Sequence, residues 1–546
     1  MNVEHKEHNS IKLLFAGLMV TQFMSSLGQT VLSSALPTIV GELDGVEHMT
    51  WVITAFILAM TIMMPIYGKL SDLLGRKPLL IIAISLFLAG SVFGGLAQSM
   101  NFLIIARAIQ GIGGGGLMIL SQAAIADVVP PRERGKYMGI MGATFAVASV
   151  AGPLLGGWFT EGPGWRWAFW MNLPLGALAI IATVVFLHSP KKTFETRPKV
   201  DYLGMMLLAI ATASLVLGLT WGGSVYAWTD PMIFLMFAIA VVGGALFVWA
   251  ESKAAEPIMP LFLFRDRNFN LTTIAGLFIA VGMFGAIGYM PTYLQMAGGY
   301  SASIAGLLMA PMMLVLLISS TISGLFVSKT GNYKALPVVG SLVVAIALGL
   351  MSTIKVDTPV WQICAYLGVM GLGLGLVMQI LTLIVQNSFS VRVVGTATAA
   401  TNYFRQVGST LGSAVVGSVF ASRLLEHATQ NLAALGDAAA SAGSANSFTP
   451  AIVHQLPEPV RDAVVLSYNQ ALIPIFTWLI PMMIIAAALL LFIRPKALKT
   501  TVEEVLSAPE KSGAEQAQDR LDAPVTQVTA GASSAADPAA PAAPRD

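Results

Sequence analysis

The stretch WVITAFILAMTIMMPIYGKLSDLLGRKPLLIIAISLFLAG, residues 51–90, decides the fold. It holds two apolar runs joined by one short turn that carries nearly all of its charge. An α-helix needs about 20 apolar residues to cross about 30 Å of hydrocarbon; the first run comes close to that length, and the second reaches it by continuing to about residue 98. The same unit recurs along the chain. Spans are expected at 12–36, 47–67, 79–98, 102–124, 137–158, 167–188, 201–220, 231–250, 270–294, 302–325, 335–353, 362–386, 396–421 and 471–493. Roughly fourteen such spans make an all-α polytopic membrane protein and exclude a soluble globular domain.

Composition agrees. Of 546 residues, 56% are hydrophobic and 11% charged, against about 25% charged in soluble domains. The one cysteine, Cys364, falls in a span, so neither an intramolecular disulfide nor a cysteine-rich metal site is available. The first span runs longer than a signal-peptide core and no small-residue cleavage site follows it, so no cleavable leader is expected.

Charge sets the expected orientation. With the N-terminus inside, inner segments collect Lys69, Arg76, Lys77, Arg132, Arg134, Lys136, Arg265, Arg267, Lys329, Lys334 and Arg494, among others, while outer segments hold only Arg166, Lys355, Arg423 and Arg461. The positive-inside rule then places both termini in the cytoplasm. Residues 424–470 form the one long outer loop, with an Ala/Ser/Gly-rich middle and a short surface helix expected over Pro457 to Leu466. Residues 496–546, rich in Ala, Pro, Glu and Asp, read as a disordered cytoplasmic tail.

A faint internal repeat divides the chain. The second span ends in Gly68-Lys-Leu-Ser-Asp72-Leu-Leu-Gly75-Arg76-Lys77, and the tenth in Gly324-Leu-Phe-Val-Ser328-Lys-Thr-Gly331-Asn-Tyr-Lys334. The glycines keep the same spacing, and a basic residue and a new span follow. This relates spans 1–6 to spans 9–14. The expected layout is a six-helix bundle over 1–190, a central segment with two extra helices over 191–269, and a second six-helix bundle over 270–495. Two such halves suggest a transporter with its site between them, exposed alternately to each side.

Three motifs carry further chemistry. Gly68-x-x-x-Asp72-x-x-Gly75-Arg76-Lys77 suits a hinge: the glycines allow close approach or a tight turn, and Asp72 can cap a helix end. Arg107-x-x-Gln110-Gly111-x-Gly113 puts an arginine inside span 4, where it must reach an internal cavity or snorkel to the interface. Gly152-Pro153-x-x-Gly156-Gly157 in span 5 permits bending and close helix packing.

Together these motifs resemble the major facilitator superfamily, specifically its fourteen-helix drug:proton antiporter branch. The resemblance extends over about residues 12–495. It implies the major facilitator fold, two six-helix bundles plus two inserted helices. It implies gating or conformational coupling at Gly68, Asp72, Gly75, Arg76, Lys77, Arg107, Gln110, Gly111, Gly152, Pro153, Gly156, Gly157 and Arg405. Trp165-Arg166-Trp167-x-Phe169-x-x-Asn172-x-Pro174 resembles the family's start of span 6, and its tryptophans fit an aromatic belt. Candidates for the substrate cavity are Gln29, Thr30, Ser33, Tyr289, Tyr293, Gln295, Gln379 and Asn402, each of which could instead make a structural bond between helices.

One departure stands out. The family commonly has an acid where this chain has Gly28, and no Asp or Glu falls in the middle of any expected span. Proton linkage is then left to inner-end acids, Asp72 and Asp127. Neutral, zwitterionic or anionic amphiphiles become more credible substrates, because Arg107 and Arg405 lack a mid-span acid.

Other classes find little support. Gly111 to Gly116 lacks the Gly-Lys-Ser/Thr of a phosphate-binding loop, and no His, Cys or carboxylate cluster marks a metal enzyme. No catalytic residue, metal or cofactor is expected. The expectation is a multi-pass transporter of the bacterial plasma membrane. It would work as a monomer that exports amphiphilic drugs or toxic compounds with proton coupling. The alternative is export of a native lipid, peptide, siderophore or metabolite. Partners would be the small-molecule substrate, protons and membrane lipids, not nucleic acid.

Overall fold

The computed structural model describes residues 2–43, 48–187, 199–223, 225–433, 453 and 456–498. The helices before the central segment are α1 (Asn2–Thr30), α2 (Leu32–Glu42), α3 (Met49–Leu74), α4 (Arg76–Gly95), α5 (Met100–Val128), α6 (Pro131–Glu161), α7 (Trp167–Trp170) and α8 (Asn172–Phe186). The central pair is α9 (Tyr202–Trp221) and α10 (Pro231–Lys253), followed by a 3-10 turn at Leu261–Arg265. The rest are α11 (Arg267–Ile287), α12 (Met290–Met296), α13 (Ala302–Leu308), α14 (Ala310–Thr330), α15 (Ala335–Met351), α16 (Val360–Ser388), α17 (Val394–Ala433) and α18 (Glu458–Leu491).

Every expected span falls on a helix, and four of them are broken by one to a few residues. Breaks at Val31, Met171, Gly288–Tyr289 and Met309 divide α1 from α2, α7 from α8, α11 from α12 and α13 from α14. Pro291 and Pro311 sit in the first turn after two of these breaks, where a missing N–H leaves no bond unmade. Among the described residues, eleven helical stretches are both long and apolar enough to cross a bilayer.

One expectation is corrected. The segment from Pro457 to Leu466 is no separate surface helix: Glu458–Leu491 is continuous, and Val460, Val464 and Val465 are buried in the bundle. At the other side of that loop, α17 runs on to Ala433. The loop middle and the tail from 499 lie outside the described residues.

Polar side chains start several helices. Asp201 accepts from Gly204 N, Asp230 from Met232 N, Asp266 from Phe269 N and Ser301 from Ile304 N, each satisfying an orphan donor. Outward faces are apolar: Leu178, Ile181, Phe234, Val241, Ile322 and Trp361 are all more than half exposed. Such a belt is stable only against lipid.

Buried apolar residues fall into separate clusters. Two of them draw on α1 to α8, from Leu14 to Leu187, with Ala399 of α17 joining one of these, and a larger one draws mainly on residues 275–493. The central pair stands apart. Helix α9 lies on both α3 and α17, while α10 packs chiefly on α9 and turns most of its surface outward. At one end, Trp221 meets Trp51 of α3 edge-on at 5.4 Å. Midway, Thr212 Oγ1 and the Tyr403 hydroxyl of α17 share a hydrogen bond of 2.8 Å. At the other end, Lys69 Nζ of α3 lies 2.6 Å from Glu256 Oε2 in the linker after α10. The Glu251 carboxylate fixes that linker by accepting from Ile258 N and Met259 N, both at 3.0 Å.

Candidate functional site

The repeated glycine motifs occupy one end of the molecule, and each joins the leading helices to the trailing ones. A side chain at Gly68 in α3 would collide with Ala399 Cβ and come within 2.9 Å of Gly395 O, both in α17. A side chain at Gly324 in α14 would collide with Gly135 O in α6. Only glycine permits either approach. The second glycine of each motif ends its helix with positive φ, 92° at Gly75 and 75° at Gly331.

Charge completes the joint. Asp72 caps α17: Oδ2 accepts from Thr396 N at 2.6 Å and Thr396 Oγ1 at 2.7 Å, and Oδ1 accepts from Gly395 N at 3.2 Å. A carboxylate at a helix N-terminus is favoured by the orphan N–H groups and by the helix dipole. Arg76 holds the acid in place, with Nη2 3.6 Å from Asp72 Oδ1 and Nε 3.0 Å from Asp127 Oδ2. The same Nη2 donates to Val391 O at 3.4 Å. Lys77 points away and donates to Val184 O at 2.7 Å.

A reciprocal cap lies on the other flank. Arg132 of α6 donates to Ser328 O at 3.3 Å and to Lys329 O at 3.2 Å, where α14 ends and cations are favoured. Arg134 closes the end of α5 through Ala126 O and Val129 O. Sequence reading counted Arg132 and Arg134 only as topology charges. Their position just after a proline helix start was the one signal that could have marked them as caps.

Deeper in, a polar layer crosses between the same helices. Asn402 of α17 donates to Gln122 Oε1 of α5 at 3.1 Å, and Gln386 of α16 donates to Gln122 O at 3.3 Å. Gln379 packs where Gly142 of α6 leaves room for its side chain. Ser320 of α14 donates to Gly139 O at 3.0 Å. Three acceptors on one face of α16, Gln379 Oε1, Thr382 Oγ1 and Gln386 Oε1, are buried without a protein partner. Gln122 was missed because nothing in its local sequence separates it from a buried structural glutamine.

Arg107 differs from both expectations. It neither snorkels nor faces a cavity, and at 1% exposure it is locked among α1, α3 and α5. Its Nε donates to Val52 O at 3.1 Å, Nη2 to Gly28 O at 2.9 Å and Nη1 to Gln110 Oε1 at 2.5 Å. Its guanidinium lies 4.2 Å from the centre of the Phe56 ring. Gln110 passes the chain of bonds to Ser91 Oγ at 2.9 Å. Gly111 and Gly113 admit the backbones of α3 and α4.

The other expected residues are scattered. Thr30 is packed on α6, donating to Ala148 O at 3.0 Å, and Gly152 is the residue that makes room for it. Pro153 lies inside α6, the Gly156 carbonyl accepts from Thr160, and Gly157 faces open space. Gln29 is half-buried, and the Ser33 side chain lies outside the described set. The Tyr289 hydroxyl donates to Ser413 O, and the Tyr293 hydroxyl accepts from Asn469, both at 2.8 Å. Gln295 turns back on Pro291 O of its own helix. Arg405 is half-buried in mid-helix beside Asn402. The structure thus joins Gly68, Asp72, Arg76, Gln379 and Asn402 along one interface, with Asp127 tied to it through Arg76. It leaves Arg107, Thr30, Tyr289 and Tyr293 inside single bundles.

Residues 18–413 match the family model described as Major Facilitator Superfamily. The chain belongs to that superfamily. Its fold is two six-helix bundles, α1–α8 and α11–α18, with α9 and α10 inserted between them. The transporter is similar to the "Multidrug transporter protein MdtP" of Bacillus subtilis, 40% identical over 75% of each chain. It is similar to "Multidrug resistance protein 3" of the same organism, 32% identical over 92% of this chain and 99% of that one. It also matches "Efflux pump dotC" of the fungus Dothistroma septosporum, 34% identical over 90% and 85% of the two chains. Among solved structures, it is similar to the human organic anion transporter MFSD10, with a TM-score of 0.57 at 17% identity, covering 89% of this chain and 99% of that one. That likeness speaks to the fold. Members of this family are transporters and not enzymes.

Proposed function

We propose that this transporter exports amphiphilic drugs or toxic compounds by alternating access, coupled to protons, from the bacterial plasma membrane. The observation that carries the reading is the pair of reciprocal caps, Asp72 on the start of α17 and Arg132 on the end of α14. Both are made between bundles and both lie at one end, so one set of polar bonds can open or close that end as a unit. The reading takes this end as cytoplasmic, with both termini on the same side. It takes the functional bodies as 1–190 and 270–495, bridged by 191–269 and followed by the tail from 496.

Coupling is assigned to Asp72 and Asp127. Both face Arg76, and neutralising either removes charge from the joint that holds the end shut. Efflux names among the relatives support the direction of transport. The test is flux in sealed proteoliposomes holding the pure protein and a fluorescent amphiphile. A pH gradient, acidic on the side opposite the substrate, should drive uphill movement that a protonophore abolishes. Movement only down the substrate gradient, whatever pH gradient or voltage is imposed, overturns the antiport reading.

A further inference from the structure

Arg405 sits one turn beyond Asn402, the last residue of α17 that hydrogen-bonds to the leading bundle among the described residues. Along α17, bonds or close packing to the leading bundle occur at Gly395 and Thr396, at Ala399 and at Asn402. Arg405 comes next on the same face, one turn beyond Asn402. Neighbouring residues point elsewhere: Tyr403 bonds to Thr212 of α9, and Phe404 packs edge-on to Phe264. At 1.5 Å per residue the Cα of Arg405 lies about 16 Å along α17 from its start, about half the thickness of a hydrocarbon core.

Its bonding is incomplete. Nη2 donates to Asn402 Oδ1, and this is its one hydrogen bond among the described residues. No carboxylate of the described residues lies within ion-pair distance. Nε and Nη1 make no hydrogen bond among the described residues, and they are not among the fully sealed nitrogens. Contrast Arg107, whose donors are spent on Val52, Gly28 and Gln110. A mid-membrane guanidinium with free donors and no counter-ion is costly unless something else satisfies it.

We propose that Arg405 is a recognition point for an oxyanion on an amphiphilic substrate, a carboxylate or a phosphate joined to an apolar body. The planar fork of donors matches such a group in a two-pronged bond, and the low dielectric strengthens it. A permanent cation is repelled at the same point. The inference rests on the transport reading above and names the substrate class for it.

Three dansyl probes test it by fluorescence titration of the purified full-length protein in a neutral detergent: dansyl-undecanoate, its methyl ester, and the matching trimethylammonium. Wild type should bind the carboxylate at least about tenfold tighter than the ammonium. Arg405→Gln should erase that preference and leave the ester's affinity within about twofold, and Arg405→Lys should keep part of it. Phosphatidylglycerol added to the micelles separates the sources: competition assigns the point to a lipid phosphate, and lack of competition to a soluble carboxylate. Equal binding of carboxylate and ammonium by wild type overturns the inference. So does an unchanged preference in Arg405→Gln, or an equal loss of all three probes there with no recovery in Arg405→Lys. If the ester or ammonium is bound and transported while the carboxylate is not, the inference alone fails. If no probe binds or moves, the export reading fails with it.

Discussion

Gly28 has no side chain, yet its carbonyl holds Arg107. A Cβ built there would point at Phe87, with ring atoms at 3.1 and 3.3 Å, and at Phe56 at 3.4 Å. The position therefore looks into the leading bundle, not into the space between bundles. Gly28→Asp should place its carboxylate beside Arg107 and add no cation site. Binding of a cationic dye should stay within about twofold of wild type, while overpacking lowers stability by about 1–3 kcal/mol. A dye titration and a melting curve check both, and a tenfold gain in dye affinity would contradict the geometry. Asp72 gives the opposite expectation. Asp72→Asn keeps an acceptor for α17 but loses the charge that Arg76 faces, and bonds to charged groups are each worth about 1.5–3 kcal/mol. Transport should fall at least about tenfold. A cysteine at Thr398, which is 0% exposed in the closed joint, should become reactive to a membrane-impermeant maleimide once Cys364 is replaced by serine. Unchanged labelling and full transport would remove Asp72 from gating. At this scale the sequence was informative wherever a residue type is unusual for its place, as an acid flanked by glycines is. It was silent on direction. Arg107 and Arg405 look alike in sequence, and only packing shows that one makes three hydrogen bonds inside a bundle and the other makes one among the described residues.

Helices α6 and α14 cross where glycine meets backbone. The carbonyl of Gly135 leaves no room for a Cβ on Gly324, and a backbone atom cannot swing aside as a side-chain tip does. Gly324→Ala should push the two helices apart and with them the bonds from Arg132 to the end of α14. The expected result is a lower melting temperature by several degrees and lost transport. Gly306→Ala is the control, since nothing lies within 4 Å of a Cβ there. Equal behaviour of the two variants would show that the crossing tolerates bulk. The helices themselves were legible, because a run of apolar residues in lipid has few alternatives to a helix. Their breaks were not. Val31 interrupts a helix with no proline or glycine beside it, and tertiary packing decides such a site. The continuous α18 shows the reverse: Pro457 to Leu466 reads as a short surface helix, yet Val460 and Tyr468 carry the helix straight into the core.

For the whole molecule, the positive charges predict which ends share a compartment. Single cysteines at Ser444 and Ser512, with Cys364 replaced, should react with an impermeant maleimide from opposite faces of a sealed vesicle. Labelling from the same face would reject the assignment of both termini to the cytoplasm. The two-bundle plan was readable from the glycine repeat because its members do the same job: Gly68 and Gly324 each let one bundle touch the other, and Gly75 and Gly331 each end a helix with positive φ. The role of the inserted pair was not readable, since neither α9 nor α10 carries a motif.

Its attachments have a mechanical consequence. Helix α9 is fastened to α3 through Trp221 and to α17 midway, and the linker after α10 is tied to α3 through Lys69, whereas α10 itself lies on α9 with most of its surface turned outward. Any change in the angle between α3 and α17 must therefore drag α10 through the acyl chains. The pair acts as an oar in a viscous medium, so the turnover of this protein should slow as its bilayer stiffens, even for a substrate that never touches the lipid.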